Sequence, residues 1–384
     1  MCSGPAPGIG GRASAGVLAA ALLLAACASS SETAKPAPLP PISAPIPVRV
    51  AWHVALGDGR DTFLRPAVLE NAVFAAGEDG EVVRVEPGSG KVAWRVKVTG
   101  PLGAGVGSDG FTVAVAGTRG QIYAFGADGN RLWEAQVTSP VLTPPLVGHD
   151  LVLVRSTDQH ISAFDASTGK RRWVFQKQQP PLTLRAASEM VFSGDSVLVG
   201  FPGGRLTSIA LSNGAARWEA GVSEPKGATE VERLSDVIGV PAIDGREVCA
   251  GSYQGRIACF DAASGDLRWA RDIAAGAGVA AGDDRVYGVD GASHVYCLAL
   301  GTGAPVWQNP ALSNRALTTP AVLGKLVAVG DFQGYVHFLA ASDGSFVGRL
   351  ETDGSPMVAA PQPWAGGVIV QSQRGELALM RPGA

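Results

Sequence analysis

Charge is scarce in this chain: Asp, Glu, Lys and Arg make up 17% of its 384 residues, and the net charge is −3. No run of Lys and Arg occurs anywhere. The concentrated basic surface that a phosphate backbone requires is therefore missing, which excludes nucleic acid as a partner. Adjacent cysteines, a Gly-x-Ser-x-Gly elbow, a phosphate-binding loop and carboxylates at calcium-loop spacing are all lacking. The five histidines, at 53, 149, 160, 294 and 337, stand without a cysteine or carboxylate at metal-ligand spacing. The sequence thus offers no catalytic residue, no metal ligand set and no cofactor seat. A sustained 3.6-residue apolar period is also lacking, which argues against a helical architecture. What is abundant is glycine, 51 residues, and proline, 26, the composition of many tight turns between short elements.

The N-terminus reads as a targeting segment. Arg12 precedes the apolar run 15–26, which is too short to span a bilayer permanently and has the length of a signal-peptide core. Leu24-Ala25-Ala26-Cys27 resembles a bacterial lipobox, in which the cysteine is lipidated and becomes the mature N-terminus. An ordinary secretory signal with an incidental Cys27 is the alternative. Ala28 stands where an aspartate would retain the protein in the inner membrane, so the resemblance implies an outer-membrane lipoprotein facing the periplasm. Residues 28–47 are rich in Pro and Ser, the composition of a tether holding a globular body away from the membrane. The expected organisation is a signal peptide over 1–26, a lipidated Cys27 with its tether to 47, and one domain over 48–384.

That domain is a repeat. A pair of apolar positions, a turn and then Gly-x-x-x-Trp recurs at Gly90/Trp94, Gly129/Trp133, Gly169/Trp173, Gly214/Trp218, Gly265/Trp269 and Gly303/Trp307. A seventh copy ends at Gly344/Gly348, with glycine in place of Trp, and an eighth begins at Leu377 and stops short of its Trp. Successive Trp positions lie 39, 40, 45, 51 and 38 residues apart. About forty residues suit four short strands and their turns, so the period is that of a propeller blade. Val48-Arg49-Val50-Ala51-Trp52 is a Trp-bearing strand with no repeat before it. It is expected to complete the last blade and close the ring, which removes long open sheet edges. The expected fold is all-β: an eight-bladed β-propeller of four-stranded antiparallel blades. Trp52, Trp94, Trp133, Trp173, Trp218, Trp269 and Trp307 are expected to fill the space between neighbouring blades. His160, His294 and His337 fall near equivalent points of three blades, which marks a repeat position.

The Phe-Asp-x-x-x-Gly-x-x-x-Trp repeat resembles the pyrroloquinoline-quinone (PQQ) family of propellers. With the lipobox added, the chain resembles the propeller lipoproteins of the outer-membrane β-barrel assembly (BAM) machinery, over essentially the whole mature length. The repeat fixes fold rather than role. The role is narrowed by two stretches where the spacing swells, 178–188 and 227–237. They resemble the family's two loops that bind BamA through its periplasmic POTRA domains. Carried over position by position, the implied contacts are Leu182, Leu184, Arg185 and Asp236. Where the family often has a second acid, this chain has Ile238. The implied function is a non-catalytic scaffold that aids folding and insertion of outer-membrane proteins. Incoming unfolded clients are a further candidate partner, through exposed sheet edges. The alternatives are a PQQ-dependent dehydrogenase, which the missing chemistry disfavours, and a generic periplasmic binding or sensing propeller, which only the two loops disfavour.

Cys249, Cys259 and Cys297 remain in the domain. They are expected as three buried thiols, with a Cys249–Cys259 disulfide across a hairpin as the alternative.

Overall fold

In a computed structural model of the chain, the structure describes residues 1, 3, 4, 8, 35–59, 62–178, 180–184 and 188–383. Cys27 and the leader around it lie outside the described residues, apart from those four isolated positions. Among the described residues there is no helix. Eight four-stranded antiparallel sheets follow one another, and each joins strands in chain order except the last. Blades one to seven cover 67–97, 107–136, 146–176, 190–221, 237–271, 275–309 and 321–351. Blade eight combines Gln362–Trp364, Gly367–Gln371 and Glu376–Pro382 with Val48–Ala55. The fold is the expected eight-bladed β-propeller.

The strands differ by their place in the blade. Second strands such as Val73–Ala76, Thr112–Ala116 and Leu151–Arg155 are buried at every position. A strand covered on both faces reads as a continuous apolar run. Outer strands alternate instead; Arg131–Gln136 exposes its charges and buries Trp133. Hydrophobic clusters form between blades, as where Ile122 and Trp133 of blade two meet Val152 and Phe164 of blade three.

The Gly-x-x-x-Trp repeat couples each blade to the next. Trp133 donates its indole N–H to the Ala166 carbonyl at 2.7 Å, and Trp173 donates to Leu211 at 2.7 Å. Each ring also lies on the repeat glycine of the following blade. A Cβ on Gly169 would stand 2.6 Å from the Trp133 ring, and the φ of Gly169 is +69°. Only glycine fits such a contact and such a backbone. The same relation links Trp52 to Gly90, Trp94 to Gly129, Trp218 to Gly265, Trp269 to Gly303 and Trp307 to Gly344.

Closure breaks the rule at one junction. Val48–Ala55 pairs antiparallel with Glu376–Pro382, from Val48 opposite Pro382 to Ala55 opposite Glu376. Gly348 of blade seven has no Trp because the closing segment occupies its space: a Cβ there would meet Val48 Cγ2 at 2.7 Å. From Pro36 onward the stretch read as a tether belongs to the same compact unit as the propeller.

The expectation of three thiols gives way to a disulfide. Cys249 and Cys259 sit directly opposite one another on adjacent antiparallel strands and are bonded, while Cys297 is a buried free thiol.

Candidate docking surface

In blades one to seven the chain runs from the innermost to the outermost strand, and blade eight takes its outermost strand from Val48–Ala55, so the blade-to-blade connections lie on one face. The two swollen stretches are two such connections, from blade three to four and from blade four to five. They are therefore neighbours. Asp236 binds them together: its Oδ2 accepts the Leu184 amide at 2.7 Å, and its Oδ1 accepts the Gly203 amide at 3.3 Å. It is 4% exposed. Burial pushes its carboxyl above the ordinary value, against the pull of those two amides and of Arg155. Arg155 is itself buried and donates to the Ser188 carbonyl at 2.5 Å. Burial pulls its guanidinium down to about 10. Between these groups lies a cavity of about 240 Å³, lined in part by Leu142, Arg155, Gln159, Leu184 and Asp236.

The residues carried over by resemblance occupy different positions. Leu182 projects, at 41% exposed. Leu184 is half-buried and lines the cavity. Asp236 turns inward and holds the loops rather than facing solvent. Arg185 lies outside the described residues. Ile238 is buried at the start of the inner strand Val237–Asp244, where an acid would be taken out of water.

The second loop carries its own device. Thr229 Oγ1 accepts the Glu232 amide at 3.2 Å, and Glu232 Oε2 accepts the amides of Ala228 and Thr229 at 2.8 and 3.0 Å. These reciprocal bonds make a capping box on a tight turn, and the amides lower the Glu232 carboxyl. The turn lifts Val231 to 60% exposed beside the ion pair of Glu230 and Arg233, 3.7 Å apart. Val231 was not singled out from the sequence, although Thr229-x-x-Glu232 was legible there as a cap.

At the ring centre on this face, a second cavity of about 340 Å³ is lined by Phe63, Ile238, Gly278, Leu317 and Met357 among others. Arg65 of the connection into blade one pairs with Glu189 at 2.5 Å and donates to Gln362 at 3.3 Å. Among the described residues no cluster of His, Cys, Asp and Glu could hold a metal ion. The registers place His160 and His294 at equivalent points, just before Ile161 and Val295, whereas Tyr335 holds that point in blade seven and His337 lies two residues further on, so the expected repeat position covers two of the three histidines. Each ring nitrogen lies close to an earlier aspartate: His160 to Asp158 at 3.0 Å, His294 to Asp290 at 2.9 Å, and His337 to Asp331 at 2.9 Å.

Comparison with known proteins identifies close relatives. The family model described as "Outer membrane protein assembly factor BamB" matches residues 78–309. A protein of that name from Bordetella pertussis is 43% identical, over 95% of this chain and 96% of its own length. Another from Burkholderia pseudomallei is 40% identical, over 95% and 96%. The crystal structure of BamB from Moraxella catarrhalis superposes with a TM-score of 0.80 at 26% identity, over 87% of this chain and 99% of that one.

Proposed function

The chain belongs to the BamB family of outer membrane protein assembly factors, and from that premise we propose that it is a docking scaffold whose two clasped loops bind the periplasmic POTRA domains of BamA. As a member of that family it is an outer-membrane-associated assembly factor of the BAM complex and not an enzyme. The PQQ-dependent dehydrogenase alternative falls with that membership.

The observation that carries the docking surface is the Asp236 clasp. A flexible loop must be ordered on binding, which costs affinity. Asp236 orders the first loop beforehand by a bond from a residue 52 positions away. On the same face Leu182 of the first loop and Val231 of the second stand exposed, and Val231 lies beside the Glu230–Arg233 ion pair, a combination of apolar contact and charged rim that interfaces favour. Leu184 and Asp236 act as positioning residues in this reading, and Arg185 is the donor carried over by resemblance. Cys27 is the proposed lipid anchor that holds the propeller at the periplasmic side of the outer membrane.

The test is titration of the chain from Ala28 onward with the periplasmic domains of BamA from the same organism. Saturable binding that Leu182→Glu weakens supports the reading. Absence of binding by the wild type overturns it and returns the generic binding propeller.

A further inference from the structure

Residues 36–47 were read from composition as a spacer, yet they lie along the rim of the propeller. Ala37 donates its amide to the Ser313 carbonyl at 2.9 Å, and its own carbonyl accepts from Arg315 Nη1 at 3.0 Å. Further along, Arg349 donates to the Pro40 carbonyl at 3.1 Å. Ile46 donates to the Val347 carbonyl at 2.7 Å, and Pro47 accepts the Gly383 amide at 2.6 Å. Ala37, Leu39, Pro40, Ile42 and Ile46 are half-buried, while most positions between them are exposed.

The seat is built for this segment. Arg315 is 2% exposed and is held by Asp331, itself fully buried, with Nε to Oδ2 at 2.8 Å. Its Nη1 donor is satisfied by Ala37, and a buried donor left without a partner is destabilising. At the other end, Gly348 departs from the repeat's Trp where Ile46 and Val48 pass. Two features of the body, one polar and one steric, fit the same segment.

The path has a direction. Ser313 and Arg315 lie in the connection from blade six to blade seven, hence on the face that carries the two clasped loops. The segment then follows the outer strand Phe346–Glu351 of blade seven down to the start of Val48–Ala55. We infer that residues 36–47 are a strap rather than a spacer, and that the strap sets how far the loop-bearing face can stand from the membrane. Only nine residue steps separate Cys27 from Pro36, a contour of about 30 Å at full extension; a free tether to Val48 would allow about 70 Å. The rim of the docking face at blades six and seven is therefore kept near the membrane. This distance limit rests on Cys27 as the lipid anchor; the strap itself does not.

The strap is tested in the full chain by disulfide trapping. A37C with S313C is compared with A37C paired with G301C, on a turn at the opposite face of blade six. Linked peptides are quantified by mass spectrometry. At least tenfold more linkage for A37C/S313C is expected, and equal linkage overturns the strap. Hydrogen exchange of the unmodified chain gives a second reading: protection of the Ile46 amide is expected, and exchange across 36–47 at unstructured rates contradicts it. The distance limit is read by energy transfer from a dye on G291C, at a turn on the loop-bearing face, to acceptor lipids. The lipidated chain is placed in phosphatidylethanolamine/phosphatidylglycerol vesicles. Inserting twelve Gly/Ser residues before Lys35 should lower the transfer at least twofold, and unchanged transfer overturns the limit. A wild-type chain that fails to enter the vesicles overturns the anchor and the limit together, while the trapping result still decides the strap.

Discussion

At the residue scale, a tryptophan and a glycine recur together because each needs the other. The Trp133 ring is 8% exposed and closes on Gly169, so neither works without its partner in the next blade. Trp133→Ala should cost about 3–5 kcal/mol, the usual range for emptying so large a buried site, read as a lower midpoint in urea unfolding. A loss below about 1 kcal/mol would mean that the blades are held by something else. His337 makes a second prediction. It is fully buried against Asp331, and burial lowers its pKa despite that aspartate, with the Arg315 and Arg349 guanidinium groups adding to the lowering. Phe346 and Tyr335 are the rings nearest its own. A histidine held neutral in the fold but protonated when unfolded leaves the unfolded state binding more protons. Stability should therefore fall as pH drops below about 6.5, the ordinary histidine value. His337→Gln should lose less melting temperature between pH 7 and pH 5 than the wild type, and an identical slope would contradict this.

At the scale of elements, the architecture was legible and its exceptions were not. The repeat spacing, the turn glycines and the unmatched strand around Trp52 together specify eight blades and their closure, because each follows from local sequence. Gly348 was visible as a missing Trp, but its reason lies in Ile46 and Val48, some three hundred residues away in the chain. Asp236 was likewise visible as a loop acid. That it faces inward depends on the Leu184 amide from another loop, which no local pattern encodes. The strap was invisible for a different reason: a Pro-rich segment has the same composition whether it floats or lies in a seat. The disulfide needed the register that places Cys249 opposite Cys259. The closure exception is testable. Gly348→Trp restores the repeat yet drives a ring into Val48, so it should destabilise by about 1–3 kcal/mol, as overpacking does. A gain in stability, measured by the same urea unfolding, would show that the closing strand can yield.

At the scale of the whole molecule, the propeller is a rigid ring that places separate connections on one face. Rigidity follows from the same device repeated seven times around the ring, with the N-terminal strand sealing the eighth junction. On that face the Asp236 clasp fixes two neighbouring loops, and the strap brings Ala37 to the rim of the same face. A scaffold needs these features, since its contribution is the position in which it holds a partner. The most direct measurement is the affinity of the chain from Ala28 onward for the BamA periplasmic domains, compared among wild type, Leu182→Glu and Leu267→Glu. Leu267 is 53% exposed on the outer strand of blade five, away from the clasped loops, and serves as an exposed leucine control. The account predicts at least tenfold weaker binding for Leu182→Glu, with melting temperature unchanged, and wild-type affinity for Leu267→Glu. Equal affinity for all three would place the partner elsewhere on the ring and contradict the two-loop surface.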